Sequence, residues 1–177
     1  MEYLIIILVA IAIVAIYFVI SQNTYQVTKK ELNKLPNSYK MVNNVTLESD
    51  GESFKIDYVV IGKPGIYLLN IIDRKGVIIG DESQEKWKET NGDKVEEFNN
   101  PIFKNLKIRS LVRKKIDDLS AKIPMHNLVL FHKKANLNDL FSESLTIRAN
   151  ALQNYISDDK QILNEEQINN IFEKFKA

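Results

Sequence analysis

The sequence contains no cysteine, which excludes disulfides and every thiolate metal site and fits a reducing compartment. A strong charge imbalance is missing as well. The 24 Lys and Arg stand against 23 Asp and Glu, a formal +1, so bulk charge implies neither a nucleic acid nor a membrane surface as partner. No Gly-rich phosphate loop, Gly-x-Ser-x-Gly elbow or His-Glu-x-x-His helix occurs, which leaves most common enzyme classes without a motif. There is no internal repeat and no low-complexity tract. At 177 residues the chain has room for one domain and a short appendage.

The longest apolar run is Tyr3 to Ile20, 18 uncharged residues. As a helix rising about 1.5 Å per residue it spans roughly 27 Å, close to the thickness of a bilayer core. A cleaved signal peptide would want a basic start and a small-x-small exit, whereas this run follows Glu2 and ends at Ser21-Gln22-Asn23. A retained transmembrane anchor is therefore expected over residues 1–22. Lys29, Lys30 and Lys34 follow the run and nothing basic precedes it except the amino terminus. That asymmetry places the N-terminus outside and the body in the cytoplasm, a single-pass arrangement at the cell membrane.

Residues 23–36 read as a short polar juxtamembrane segment, partly helical, stopped by Pro36-Asn37. A domain is expected over 37–135. Tyr39 to Leu47 reads as a strand, Ser49-Asp50-Gly51 as a turn, and Phe54 to Ile61 as the next strand. In the turn Gly-Lys-Pro-Gly, Pro64 and Gly65 suit the two central positions of a type II turn. Gly65 to Ile72 is a third strand and Gly76 to Ile79 a short continuation. Gly80 to Lys94 is polar and reads as an edge excursion anchored by Trp87. Asn100 caps and Pro101 opens a helix to about Ala121, with Ile102, Leu106, Ile108, Val112, Ile116 and Leu119 on one broad face. His126 to His132 is a buried strand and Leu145 to Ala149 another. Residues 136–177 read as a mainly helical extension packing on the domain, with helices at Asn150 to Ile156 and Asn164 to Lys176. The fold class is α/β, a sheet flanked by helices.

Asp57 interrupts a strand that is otherwise apolar on both faces, an expensive place for an acid unless it meets a cation or several donors. Around it run Ile56-Asp57-Tyr58-Val59-Val60-Ile61, then Gly65-Ile66-Tyr67-Leu68-Leu69, with Lys75-Gly76 closing the run. Leu35-Pro36 with Tyr39, Trp87, Asn100-Pro101 before a helix, and Leu128 to Phe131 extend the pattern over about Leu35 to Phe131. The pattern resembles the nuclease-related domain (NERD) family of the PD-(D/E)xK superfamily. The resemblance implies a restriction-endonuclease-like central mixed β-sheet flanked by helices, and an N-terminal transmembrane helix is a familiar companion of such a domain.

In active members the strand Asp and the Glu of E-x-K hold a divalent metal, and the Lys positions or activates water at the phosphate. Here the Glu position is Asn70 and the Lys position is Ile72. The Gln expected after Asn-Pro falls on Lys104, and the Gly-x-x-Gly-Glu expected near Tyr25 is missing. The resemblance therefore implies a vestigial site of Asp57, Asn70 and Ile72, with Asp57 hydrogen-bonding Asn70 or nearby backbone donors. It implies a catalytically inactive protein without cofactor, acting in nucleic-acid or protein binding.

A Mg²⁺-dependent deoxyribonuclease remains the alternative, with a relocated site of Asp57, Asp73 and Lys75. On a regular strand Asp73 faces away from Asn70, three residues earlier, and only a bulge restores it. The simpler reading makes Asp73, Arg74 and Lys75 a solvated turn. A membrane-attached protein-interaction module without nucleic-acid contact is a further reading. For nucleic acid the candidate contacts are Lys104, Lys107, Arg109, Lys114 and Lys115, beside Arg113, on the outer face of the Pro101 helix. The same residues suit anionic lipid headgroups, although solvated helix charge is the default and Asp117 and Asp118 interrupt the run. His126 and His132 bracket a strand with no carboxylate at ligand spacing, so hydrogen bonding at strand ends is expected of them rather than a metal site.

Overall fold

The computed structural model of the chain describes residues 5–13, 23–116, 123–156 and 160–176. Residues 5–13 are helical, and their large apolar side chains are exposed, from 53% at Val9 to 63% at Ile6. The rest of the expected anchor, including residues 14–20, lies outside the described residues. Among the described residues no helix is long and apolar enough to cross a membrane.

The first packed element is α1 (Thr24–Leu32). Among the described residues nine strands follow in chain order: β1 (Lys40–Ser49), β2 (Glu52–Gly62), β3 (Gly65–Ile72), β4 (Val77–Asp81), β5 (Lys86–Asn91), β6 (Lys94–Asn99), β7 (Met125–Phe131), β8 (Asn136–Phe141) and β9 (Leu145–Arg148). Helix α2 (Pro101–Ile116) lies between β6 and β7, and α3 (Gln153–Ile156) and α4 (Glu165–Lys176) follow β9.

The strands make two mixed sheets rather than one. The larger has the order β1-β2-β3-β7-β9 and the smaller β6-β5-β4-β8. In the larger sheet β1, β2 and β3 run antiparallel, and β7 then joins β3, and β9 joins β7, in parallel. A parallel neighbour needs a crossover, which α2 supplies between β3 and β7. One face of this sheet packs α2 and α4 over Ile56, Val59, Ile66, Leu68 and Met125. The other packs α1 over Tyr58, Val60, Tyr67, Leu69 and Leu130. Both faces are covered, so the central strands are apolar throughout rather than alternating, and each fully buried aliphatic contributes about 1.5–3 kcal/mol.

Several expectations need correction. The polar stretch Gly80 to Lys94, expected as an edge excursion, is built into the smaller sheet. It supplies the end of β4 and all of β5 and leads into β6, with Trp87 fully buried against Phe131 and Phe98. Gly80 sits flat under the Trp87 ring, where a Cβ would collide with it. The Gly62-Lys63-Pro64-Gly65 turn pairs Gly62 with Gly65, so Lys63 and Pro64 are its central residues. Gly65 is still required, at φ 146°, because Ile66 N–H donates to Pro124 O at 3.0 Å and a Cβ would meet that oxygen. The Ser49 turn does match its sequence: Asp50 and Gly51, at φ 55° and 79°, form a two-residue loop between paired Ser49 and Glu52. Leu106, expected in the core, is 57% exposed. Leu119 lies outside the described residues. Residues 136–148, expected in an α-rich tail, provide β8 as well as β9.

Helix α1 packs as part of the domain rather than serving as a bare link, with Thr24, Thr28, Glu31 and Leu32 buried. Asn23 caps it by accepting from Tyr25 N–H at 2.7 Å. A second acceptor comes from far along the chain: the Asp73 carboxylate takes the Thr24 N–H at 3.2 Å and also the Thr24 hydroxyl.

Candidate functional site

Asp57 occupies a fault in β2. The pairing of β1 with β2 holds at Asn43↔Tyr58 and at Val45↔Ile56 but is interrupted between them, and Asn44 there is left-handed at φ 53°. As a result Ile56 and Val59, three residues apart, belong to the same core, whereas a regular strand would put them on opposite faces. On its other side β2 pairs with β3 only from Tyr58↔Leu69 onward. Beyond that point the Asp57 side chain continues the ladder, its Oδ2 accepting the Ile71 N–H at 2.7 Å. The donor that satisfies Asp57 is thus backbone.

Asn70 is 5% exposed and looks toward α2, where its amide nitrogen donates to Asn105 Oδ1. Asn105 is buried too, and its backbone carbonyl accepts from Asn127 Nδ2 at 3.2 Å. Asn127, on β7, leaves its own buried Oδ1 without a partner. Three asparagines from β3, α2 and β7 therefore form a polar joint, with Asn70 and Asn105 buried and Asn127 half-buried, where an open acidic cleft would be needed. Ile72 packs against the apolar cluster of Ile78, Trp87, Ile102 and Phe131.

Two of these three asparagines, Asn105 and Asn127, were not among the expected site residues. Their signal was present in the sequence: Asn105 falls on the core face of α2 between Ile102 and Ile108, and Asn127 stands in the apolar run MHNLVLF. A polar side chain at a core period needs a partner.

The alternative residues are not gathered either. Asp73 serves the start of α1, and Lys75 is exposed, its backbone N–H donating to Glu89 Oε1 at 2.8 Å. Arg74, expected in a solvated turn, is largely enclosed. It pairs with Glu89 at 2.6 Å and Glu96 at 3.2 Å and lies over the Phe98 ring at 4.3 Å. Burial pushes the Glu89 carboxyl up, but the Gly76 and Lys75 amides together with Arg74 outweigh it and hold the carboxyl below its ordinary value. A similar balance acts at Glu82. Its burial is overcome by the hydroxyl and amide of Ser144, the hydroxyl of Ser142 and the amide of Glu143, which fix the β8–β9 connection.

Beside Asp57, the Tyr58 ring packs on Tyr25 at 5.4 Å. Burial, then hydrogen bonding with Tyr25, raises the Tyr58 hydroxyl well above its ordinary value, with a smaller push from Asp57. Such a phenol stays protonated and offers no base. His126 stacks on Tyr67 at 5.0 Å, and buried His132 accepts the Lys134 N–H at 3.1 Å. Both histidines act as strand-end packing groups. Lys104, Lys107, Arg109, Lys114 and Lys115 are all exposed on α2. Lys107 lies over Phe54 at 5.5 Å and 3.9 Å from Asp50, and Lys115 lies over Phe175 at 5.9 Å.

A hard divalent cation such as Mg²⁺ needs several converging oxygens, anionic ones above all. Asp57 spends an oxygen on an amide, Asn70 points its donor into a side-chain pair, and Asp73 holds a helix end. Among the described residues no three His, Asp or Glu side chains converge on a metal position. The residues do not fit the ion.

A β-hairpin, a crossover helix and a parallel strand around one strand acid define an α/β domain with a nuclease-like scaffold. The comparison with known families agrees: the nuclease-related domain (NERD) matches residues 21–132, more than half of the chain. The chain belongs to the nuclease-related domain family. It is also similar to an uncharacterized protein of Bacillus anthracis, 29% identical over 148 residues, covering 80% of this chain and 68% of that protein.

Proposed function

We infer that this chain is a membrane-anchored, cytoplasm-facing member of its family that no longer hydrolyses nucleic acid and serves as a binding or scaffolding module. The observation that carries the reading is the sealed Asn70–Asn105 pair at the position of the metal-binding acid. Ile72, packed among apolar side chains at the position of the catalytic lysine, supports it. Neither residue can recruit a metal or polarise water, and Asp57 alone cannot replace them. The anchor part of the reading rests on the 18-residue apolar run and on the exposure of Ile, Leu and Val around residues 5–13. Apolar side chains bare on every side of a helix need a lipid or protein surround.

The test uses the full chain in nonionic detergent, incubated with supercoiled plasmid and Mg²⁺ or Mn²⁺. The expected result is no nicking above a metal-free control. Cleavage that vanishes in both Asp57→Ala and Lys75→Ala would overturn the reading and establish the relocated nuclease. Retention of a DNA or RNA oligomer with a steep salt dependence would assign the binding role to nucleic acid, and its absence would leave the protein-binding role.

A further inference from the structure

We propose that the first two turns of α2 form a lipid-contact surface, resting on the headgroup layer of an anionic bilayer beside the anchor. The proposal rests on the membrane-anchored reading and specifies how the domain sits once anchored.

Phe103 and Leu106 are 45% and 57% exposed. Three residues apart on a helix, they share a face. Lys104 and Lys107 flank them, and α2 carries six Lys and Arg but no acid in its 16 residues. Exposed apolar side chains within a basic rim make the composition of an interfacial helix, whose apolar part enters the acyl boundary while lysines reach headgroup phosphates. A leucine offers nothing to a phosphate backbone or a base stack, so the pair Phe103 and Leu106 favours lipid over nucleic acid.

Topology puts this surface where a bilayer would be. Asp73 follows the last residue of β3, and its carboxylate holds Thr24. The chain therefore enters the domain from the apolar segment at the C-terminal end of β3. Helix α2 crosses over between β3 and its parallel neighbour β7, so it must begin at that same end and run back. Ile102 accordingly packs with Phe131, the residue paired with Ile72 at the end of β3. Phe103, Lys104, Leu106 and Lys107 thus share the anchor's end of the sheet. The acids at this end lie on the tip of the β1–β2 hairpin, Glu48, Asp50 and Glu52, all exposed, of which Asp50 comes within 3.9 Å of Lys107.

Because the chain lacks cysteine, a single Leu106→Cys variant of the full chain accepts one environment-sensitive NBD label. A Gln161→Cys variant is labelled as control, near the Lys63 turn at the opposite end of β3, where Ile162 and Leu163 N–H donate to Lys63 O. Both proteins are reconstituted into vesicles of neutral phosphatidylcholine, with or without phosphatidylglycerol. The expected result is a several-fold brighter, blue-shifted signal at position 106 with the anionic lipid, quenched by doxyl-labelled lipid, and no change at 161. Lys104→Glu with Lys107→Glu is expected to abolish the enhancement. Equal signals at 106 in the two lipids, a response to added DNA oligomer in its place, or a response scaling with protein density as for a second copy would each overturn the proposal.

Flotation with neutral vesicles at high salt reads the anchor separately. Flotation without a signal at 106 refutes only the α2 surface. Failure to float refutes the anchor and, with it, the basis of this proposal.

Discussion

Replacing Asn70 tests whether the former metal position is now a structural joint. In Asn70→Leu the Asn105 Oδ1 loses its donor deep under α2. Leaving such a group unsatisfied costs about 1–3 kcal/mol. Replacing both partners removes the unsatisfied group as well as the bond, and such paired apolar substitutions are close to neutral. The double variant Asn70→Leu with Asn105→Leu should therefore be less destabilised than the sum of the single changes, by roughly 1–2 kcal/mol. Trp87, the only tryptophan and fully buried, reports unfolding directly. The measurement is a urea titration of the full chain in nonionic detergent, following Trp87 fluorescence for the four members of the cycle. Additivity within about 0.3–0.5 kcal/mol would refute the coupling. It would also remove the main reason for regarding the position as closed.

Two other substitutions probe the neighbouring anchors. Asp57→Ala should free the Ile71 N–H and cost about 1.5–3 kcal/mol, the range for a bond to a charged acceptor. Faster amide exchange at Ile71 checks this, with Asp57→Asn retaining most of the protection. Because Glu89 is held below its ordinary carboxyl value when folded, its stabilising contribution is complete above that ordinary value and disappears as pH falls through the folded one. The urea midpoint should fall as pH drops below the ordinary carboxyl value of 4.5, and Glu89→Gln should flatten that fall. An unchanged pH profile in the variant would count against the Arg74–Glu89 linkage.

The hairpin around Asp57, the Asn-Pro start of α2 and the strand at 125–131 were legible because each carries a local signal: turn residues, a cap, or an unbroken apolar run. Asn100 indeed caps α2, accepting the Ile102 N–H at 2.9 Å. The smaller sheet was hidden because half the residues of β5 and β6, KWKETN and KVEEFN, are charged, and their partners, Arg74 for Glu89 and Glu96 and Phe131 for Trp87, come from other segments. Strand β8, NLNDLF, is poor in residues that favour strands. At the site, the loss of Glu and Lys was readable position by position. The replacement of that chemistry by an asparagine joint was not, because its members lie 35 and 22 residues apart. The shift of face at Asp57 depends on a left-handed Asn44 in the neighbouring strand, which no period in β2 reveals.

The grip of Asp73 on Thr24 also determines where the domain bears load. On the proposed anchored reading, an N-terminal segment held in a moving bilayer transmits its pull to the first residue fixed in the fold. Here that residue is fastened directly to the end of a central strand, itself flanked by β2 and β7. Tension is thus delivered to the half-buried C-terminal end of β3, from which it passes into the buried residues of that strand. On that reading the tether is fastened to the end of a central strand, and its rivet is one carboxylate.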